Sequence, residues 1–162
     1  VGDRAASRAK EMAQPEFGPD QVNQVAASKK KIFAPLNRTA NYTVNPLELE
    51  DYVRNLNQQF VGVHKIEPRL KYAVDQMRWI QEAAVPALTA GSYHELMRAM
   101  EVQDIIELSE MHAYTSLMRD ESRMAPIHNR DDYPNQDPKW DNKTIVATKV
   151  DGKIVYATED VN

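Results

Sequence analysis

Residues that can form directed ion pairs and hydrogen bonds are concentrated in one short stretch before Pro134. They are Glu121, Arg123, His128, Arg130, Asp132 and Tyr133. An arginine guanidinium can donate two parallel hydrogen bonds to a carboxylate or a phosphate, which fixes the geometry of the pair. Two interpretations stay open: the stretch is a solvated helix end of mixed charge, or it is a docking element that binds a partner.

Other kinds of site find little support in the sequence. The chain has no cysteine, which excludes disulfides, thiolate nucleophiles and thiolate metal ligands from it. Two of the four histidines, His94 and His112, share a helix face, but about 27 Å of helix separates them. No glycine-rich dinucleotide motif and no phosphate-binding loop is present. We therefore expect no catalytic residue, no metal site and no cofactor held by this chain alone.

Composition places the chain among ordinary globular proteins. Hydrophobic residues make up 42% of its 162 residues and charged residues 27%, enough for one domain with a core. The net charge of −4 gives no broad basic surface, so we expect no nucleic-acid partner. An apolar run of about 18 residues is also missing, so we expect no direct membrane insertion.

The longest predicted element is a helix over residues 92–122. Ser92 and Glu95 have the spacing of a capping box at its start, and neither proline nor glycine interrupts it. Helical spacing predicts one buried apolar stripe. The stripe consists of Leu96, Met97, Met100, Ile105, Leu108, Met111, Thr115 and Met118. We expect its methionines in the core, and a methionine-rich groove for a partner helix is the alternative.

Two further amphipathic helices are predicted before it. The first, over 45–62, begins at Asn45-Pro46, and its stripe is Leu49, Tyr52 or Val53, Leu56, Phe60 and Val63. The second, over 66–88, has the stripe Leu70, Val74, Met77, Ile80 and Ala84. Short links between long helices favour antiparallel neighbours, so the sequence predicts a mainly α fold built on an antiparallel three-helix bundle.

The flanking segments differ from this bundle. Residues 1–40 predict an N-terminal helical extension, with one helix over 3–13 that breaks at Pro15 and a second that Asp20 caps and Pro35 ends. The bundle then occupies 41–134. Residues 135–162 predict a polar loop, in which Trp140 packs back on the domain, and a small β-hairpin that turns at Asp151-Gly152.

The stretch before Pro134 also resembles a known family. The motif is Glu121-Ser122-Arg123 followed by His128-x-Arg130-x-Asp132-Tyr133-Pro134. It is similar to the C-terminal region of the flavoprotein subunits of fumarate reductase and succinate dehydrogenase, and to their relatives L-aspartate oxidase and the adenylylsulfate reductase alpha subunit. The resemblance extends from about residue 45 onward. The gap between Arg123 and His128 is about two residues longer than in the first two enzymes and is more like adenylylsulfate reductase.

The resemblance implies a fold, a cofactor and partners. The fold would be a C-terminal three-helix bundle of the spectrin-repeat kind in an FAD-dependent oxidoreductase, in which FAD belongs to the parent protein and not to this chain. That parent would pass electrons or hydride between the flavin and a small acid or related substrate. The expected partners are the flavin-binding domain of the same polypeptide and an iron–sulfur subunit. We expect a cytoplasmic location, with membrane association only through partner subunits.

The same resemblance gives the six residues before Pro134 a role at an interface, and no catalytic role is assigned to them. Arg123, His128, Arg130 and Asp132 are the candidates for the contact with the flavin domain. The alternative is a stand-alone helical interaction module, which predicts a polar outer surface all round, whereas a lost neighbour predicts exposed apolar residues in 1–35 or in the hairpin. A third hypothesis, an independent enzyme, requires a deep pocket at His128 and Tyr133.

Overall fold

The computed structural model describes residues 2–12, 17–39, 42–124 and 126–161. It forms two compact units, residues 1–34 and 35–162. The predicted break at Pro15, the last residue of the predicted helix 3–13 and the predicted boundary between residues 40 and 41 lie outside the described residues.

The first unit consists of helices. Helix α1 is Gly2–Glu11, and helix α2 is Pro19–Asn37, whose last turn belongs to the second unit. Proline is favoured at the first position of a helix because its missing N–H has no helical partner there. Helix α2 therefore begins at Pro19, and the prediction that Asp20 caps it from outside was wrong. Apolar side chains of α2 are exposed, with Val22 at 60% and Val25 at 48%.

The end of α2 also differs from the prediction. Pro35 lies inside the helix and is buried, and the helix continues to Asn37. Pro35 removes one helical hydrogen bond, but only two residues of α2 follow it, so little of the helix has to continue beyond the break. The Pro35 carbonyl accepts a hydrogen bond from the Ala90 N–H at 2.9 Å.

Three helices make up the bundle in the second unit: α3 (Pro46–Phe60), α4 (Glu67–Ala83) and α5 (Tyr93–Met118), with a turn of 3₁₀ helix at Val85–Ala87 between α4 and α5. Their directions follow from side-chain contacts. Tyr52 and Phe60 of α3 contact Gln76 and Tyr72 of α4, so these two helices are antiparallel. Contacts from Glu50 to Arg98 and from Asn57 to Ser109 make α3 and α5 parallel. The predicted mainly α three-helix bundle is confirmed.

The helix starts form as predicted. The Asn45 side chain accepts the Leu47 N–H at 2.8 Å, and Ser92 Oγ accepts the Glu95 N–H at 3.2 Å. Glu95 in turn accepts the Gly91 N–H at 2.7 Å. These bonds satisfy N–H groups that have no partner within the helix. The predicted end of α5 at residue 122 was wrong, because the helix stops at Met118.

About one residue in three of each bundle helix is buried. The predicted stripe of α4 is buried throughout, and in α3 the buried residue is Val53, since Tyr52 is 45% exposed. The main cluster comprises Leu49, Val53, Leu56, Met77, Ile80, Ala84, Leu88, Ala99, Val102 and Ile106.

The predicted stripe of α5 was right at Leu96, which is buried, and at Ile105, which packs against the core, but wrong at several other positions. Met97, Met100 and Leu108 are 49%, 39% and 62% exposed, so the methionines at 97 and 100 are not core residues. The buried face consists of Leu96, Ala99, Val102, Ile106, Ser109, Glu110, Ala113 and Ser116. Apolar residues occur all round this helix, so apolar spacing alone did not identify the face. Small side chains on the buried face let α3 and α4 lie close to α5.

Two pairs of strands complete the fold. The short strands β1 (His64–Lys65) and β2 (Asn129–Arg130) pair in parallel, which the sequence did not predict. The predicted hairpin forms from β3 (Lys143–Val150) and β4 (Lys153–Asp160). Asp151 and Gly152 have φ values of 49° and 78°, as a tight hairpin turn requires. Tyr156 of β4 stacks on Tyr114 with ring centroids 4.3 Å apart, so the hairpin packs on α5.

Candidate functional site

The six residues singled out in the sequence lie together at the end of the bundle where α5 stops. After Met118 the chain forms an irregular segment, and a backbone bridge joins Arg123 to His128. Strand β2 then pairs with β1, which leads directly into α4. We call the group Glu121, Arg123, His128, Arg130, Asp132 and Tyr133 the α5 end cluster.

Arg130 caps the C-terminal end of α5 although it is far from that end in sequence. Its side chain is 1% exposed, and Nη1 donates to the carbonyl oxygens of Ser116 at 2.7 Å and Leu117 at 3.2 Å. The last carbonyls of a helix have no helical partner and carry partial negative charge. A buried guanidinium therefore satisfies them and complements the helix dipole.

Asp132 connects this arginine to α4. Arg130 Nε and Nη2 each donate to one oxygen of Asp132 at 2.8 Å, and Oδ2 also accepts the Glu67 N–H at 2.7 Å. Ile66, at the start of α4, offers no side-chain cap, so Asp132 supplies one from a distance. The hydrogen bond from Arg130 is the largest cause that lowers the pKa of Asp132. The pair thus joins the end of α5 to the beginning of α4.

Glu121 is the second buried charge of the cluster. Its side chain is fully buried and accepts hydrogen bonds from Arg119 Nε at 2.8 Å, from Arg123 Nε at 2.8 Å and from the Asp137 N–H at 2.9 Å. Burial favours a higher pKa for this carboxyl, but the bonds from Arg123, the Asp137 N–H and Arg119 outweigh burial and lower the pKa to about 2. Glu121 is therefore ionised at neutral pH and orients two arginines.

The loop after Pro134 is fastened to the same end of the bundle. Trp140 is 7% exposed and its indole N–H donates to Asp120 at 2.8 Å. The Arg119 guanidinium lies over the Trp140 ring, 5.0 Å from its centroid. The structure thus supports the prediction that this tryptophan packs back on the domain. The roles of Asp120 and Arg119 had not been predicted.

Two groups lie near the cluster although the sequence did not place them there. Lys65 is 2% exposed, and its pKa is lowered by burial and then by the charge of Arg130. His112 of α5 also has a lowered pKa, caused first by burial and then by Lys65. No local signal marks Lys65, because its burial depends on the pairing of β1 with β2 across more than 60 residues.

The predicted site residues thus divide by exposure. Glu121 and Arg130 are buried by other residues of this chain. Arg130 donates its forked hydrogen bonds to Asp132, and Glu121 accepts forked hydrogen bonds from Arg123. Arg123 keeps a 27% exposed side chain, and Tyr133 is 38% exposed. His128 is half-buried; its Nε2–H donates to the Arg119 carbonyl at 3.0 Å, and burial is the largest cause that lowers its pKa. The described part of the chain contains no group of three metal-ligating side chains.

In the ranges that the structure describes, no helix has both the length and the apolar character needed to span a bilayer.

The sequence was compared with known families and proteins. Residues 50–162 match the family described as the fumarate reductase flavoprotein C-terminal domain. A search of curated protein sequences gave no match.

Solved structures of similar fold include parts of three larger proteins. The Mycobacterium smegmatis Sdh1 complex in its apo form gives a TM-score of 0.83 at 22% identity and 97% coverage of this chain. Adenylylsulfate reductase from Archaeoglobus fulgidus gives 0.82 at 23% identity and 99% coverage. Quinol fumarate reductase FrdA from E. coli gives 0.78 at 18% identity and 99% coverage. These matches occupy only 26%, 27% and 28% of the respective neighbours, and at this identity they establish the fold.

Proposed function

The chain belongs to the family of fumarate reductase flavoprotein C-terminal domains, and from this premise we propose that it serves as the helical support of a larger FAD-dependent oxidoreductase. In this proposal FAD is held by a flavin-binding domain of the same polypeptide. The present chain stabilises that domain and contributes to contacts with an iron–sulfur subunit. Membrane association, where the parent has it, comes from such partner subunits.

The observation that carries the proposal is the extent of the structural match. The chain is covered at 97–99% by the three neighbours, while it accounts for roughly a quarter of each of them. Because the whole chain matches one part of a larger flavoprotein, the match favours the role of a helical support over the role of a complete enzyme. The substrate of the parent protein is a small acid or a related compound in this proposal.

Exposed apolar side chains in residues 1–34 favour this function over a stand-alone module. Phe17, Val22 and Val25 are 79%, 60% and 48% exposed. A free-standing interaction module was expected to be polar all round. Exposed apolar residues on one short unit are typical of a surface that another domain covers, and the proposed occupant is the flavin-binding domain.

The α5 end cluster supplies the second proposed contact. Arg123, His128 and Tyr133 keep exposed atoms, and they are the proposed interface residues toward the flavin domain or the iron–sulfur subunit. Glu121 and Arg130 have no exposed surface to offer. Their proposed role is to hold the exposed residues in place.

The proposal is tested with the natural reading frame that contains this chain. The full product and the 162-residue chain are purified in parallel, and bound flavin is measured by its visible absorbance after protein precipitation. We expect FAD in the full product and a colourless isolated chain. A stoichiometric yellow preparation of the isolated chain, or a full reading frame that binds no flavin, would refute the proposal.

A matched pair of variants in the full product tests the contact of residues 1–34. Val22→Glu places a charge where the proposed neighbour packs, so we expect loss of flavin retention on dilution. Leu108→Glu is the control, because Leu108 is comparably exposed, at 62%, on α5. Equal flavin retention in the two variants would contradict a docking role for Val22.

A further inference from the structure

A pocket of about 460 Å³ lies beside the C-terminal half of α5. It is lined by His112, Thr115, Ser116, Arg119, Arg123, Met124, Ile127, His128 and Ile145. Four of these side chains are basic and none is acidic. The walls come from α5, from the segment that follows it and from β3, so the pocket depends on the folded bundle and on the hairpin.

The two arginines of the pocket are held in place by one carboxylate. Arg119 Nε and Nη2 lie 2.8 and 2.7 Å from Glu121 Oε1, and Arg123 Nε and Nη2 lie 2.8 and 3.1 Å from the two Glu121 oxygens. Within the described ranges, neither Nη1 atom makes a hydrogen bond to the protein. Two fixed guanidiniums with unused donors lose little conformational entropy when they bind an anion.

Lys65 is the cation near the pocket that no carboxylate pairs with in the described residues, whereas the neighbouring arginines each have a carboxylate partner. Arg119, Arg123, Arg130 and Lys65 are the cations, and Glu121, Asp132 and Asp141 are the carboxylates that pair with them. In the part of the chain that the structure describes, the Lys65 ammonium forms no ion pair. Lys65 is close enough to His112 and His128 to lower the pKa of both histidines. An additional carboxylate at the pocket would be attracted by the unpaired charge of Lys65.

Apolar side chains form the rim next to these donors. Met124 and Ile127 are 67% and 70% exposed. They lie in the turn that the Arg123–His128 bridge closes, where the Ile127 N–H donates to the Met124 carbonyl at 2.9 Å. A small inorganic anion would leave this rim uncovered. A carboxylate that stands between apolar side chains would use both the donors and the rim.

We propose that this pocket binds a glutamate or aspartate side chain of a partner protein segment whose neighbouring residues are apolar. The carboxylate accepts hydrogen bonds from Arg119 Nη1 and Arg123 Nη1, and the apolar neighbours cover Met124 and Ile127. The identification of that segment with the flavin-binding domain rests on the proposed function. Binding of the segment itself does not, because it needs only the present chain.

The test is an NMR titration of the 162-residue chain with three probes. The first is a blocked peptide with one glutamate between two leucines, the second is the same peptide with glutamine, and the third is inorganic phosphate. We expect saturable shifts of the Arg119 and Arg123 side-chain N–H signals and of the Met124 methyl with the glutamate peptide. The glutamine peptide should bind at least about tenfold more weakly, a loss of about 1.4 kcal/mol.

Variants separate the site from general ion pairing. Arg123→Lys keeps a charge beside Glu121 but removes the free Nη1, so binding of the glutamate peptide should weaken about tenfold. If Arg123→Lys unfolds, the same peptide titration is repeated with His128→Gln. This variant changes the lining of the pocket but retains a hydrogen-bond donor for the Arg119 carbonyl. Arg78→Lys is the matched control, since Arg78 donates to Glu110 at 2.8 Å from α4 and does not line this pocket.

The outcomes decide between occupants. Equal binding of the glutamate and glutamine peptides, tighter binding of phosphate than of the glutamate peptide, or no saturable shift would each overturn the proposal. If the glutamate peptide binds this chain but the full product holds no flavin, the proposed function fails and the present inference stands. The two proposals therefore fail separately.

Discussion

Arg130 and Asp132, two residues apart, form a forked ion pair with both nitrogen–oxygen distances at 2.8 Å. Arg130 faces the last carbonyls of α5, and Asp132 faces the first N–H of α4. One pair thus places a positive charge at a helix C-terminus and a negative charge at a helix N-terminus, both of which the helix dipoles favour. It ties the segment after α5 to the bundle.

Replacing Arg130 should destabilise the chain strongly. Arg130→Leu leaves Asp132 without its partner and the carbonyls at the end of α5 without a donor. Removing one member of a buried pair costs about 3–5 kcal/mol, so we expect the free energy of unfolding in urea to fall by about that amount. Arg130→Lys should lose less, because it keeps the charge but not the fork.

The control for Arg130 is an exposed arginine whose carboxylate partner, the buried Glu50, also lies 3.5 Å from Arg98. Arg54 donates to Glu50 at 2.6 Å one helical turn away, and its side chain is 63% exposed. Helical pairs of this spacing with a solvent-exposed partner are worth about 0.3–0.5 kcal/mol. Glu50 keeps Arg98 as a partner when Arg54 is removed, so Arg54→Leu should change stability little. Comparable losses for Arg54→Leu and Arg130→Leu would show that burial does not set the cost.

Glu121 should make stability depend on acid pH. Its pKa is lowered from 4.5 to about 2 in the folded chain, so the unfolded chain binds the proton first as pH falls. The stabilisation is complete above about pH 4.5 and is lost as pH falls toward 2. Glu121→Gln should therefore lower stability at neutral pH and remove about one proton from the slope of unfolding free energy against pH in this window.

The measurement for Glu121 is urea unfolding at a series of acid pH values, together with NMR titration of the carboxyl carbon. Glu95→Gln is the control, because Glu95 accepts one hydrogen bond from Gly91 in an exposed position. An unchanged slope in Glu121→Gln, or a Glu121 midpoint near 4.5, would contradict a role for the arginine bonds in keeping this carboxyl ionised.

The two faces of α5 predict a clear contrast between neighbouring apolar residues. Ile106 is fully buried in the main core cluster, whereas Leu108 is 62% exposed. Ile106→Ala should cost about 2–5 kcal/mol, because it leaves a cavity. Leu108→Ala should stay within about 0.5 kcal/mol of the parent chain in urea unfolding. Equal costs would restore the stripe that the sequence pattern first suggested.

The contrast between Ile106 and Leu108 shows which features of the fold could be predicted from the sequence. The caps at Asn45 and Ser92 and the turn at Asp151-Gly152 depend on residues within a few positions of one another, and local rules predicted all three correctly. The buried face of α5 depends on which neighbours pack against it. Its small residues Ala99, Ser109 and Ala113 carry little apolar signal, so the larger exposed methionines misled the pattern.

The candidate site was predictable in its members but not in its connections. Glu121, Arg123 and Arg130 could be named because charged residues cluster there. The burial of Arg130 involves the pairing of β1 with β2, which brings Lys65 beside Arg130, whereas Glu121 is contacted by Arg119, Arg123 and the Asp137 N–H. Strands of two residues carry no period, so neither this pairing nor the burial of Lys65 could be inferred from spacing.

Tyr156 gives the last prediction, because its hydroxyl is buried and has no hydrogen-bond partner in the described structure. Burial is the main cause that raises its pKa to about 12. The ring stacks on Tyr114, and Tyr156→Phe keeps that stacking while it removes the unpaired polar group. We expect the variant to be as stable as the parent or more stable by up to about 1 kcal/mol.

The pH dependence checks the same prediction by a second route. Because burial disfavours the ionised hydroxyl, the folded chain should lose stability as pH rises from about 10 toward 12, while below about pH 10 this group makes stability independent of pH. Tyr156→Phe should lack this alkaline loss, and the ultraviolet titration of the parent should contain one tyrosine that ionises near 12. A loss of stability above about 1.5 kcal/mol in the phenylalanine variant would mean that the hydroxyl does have a partner.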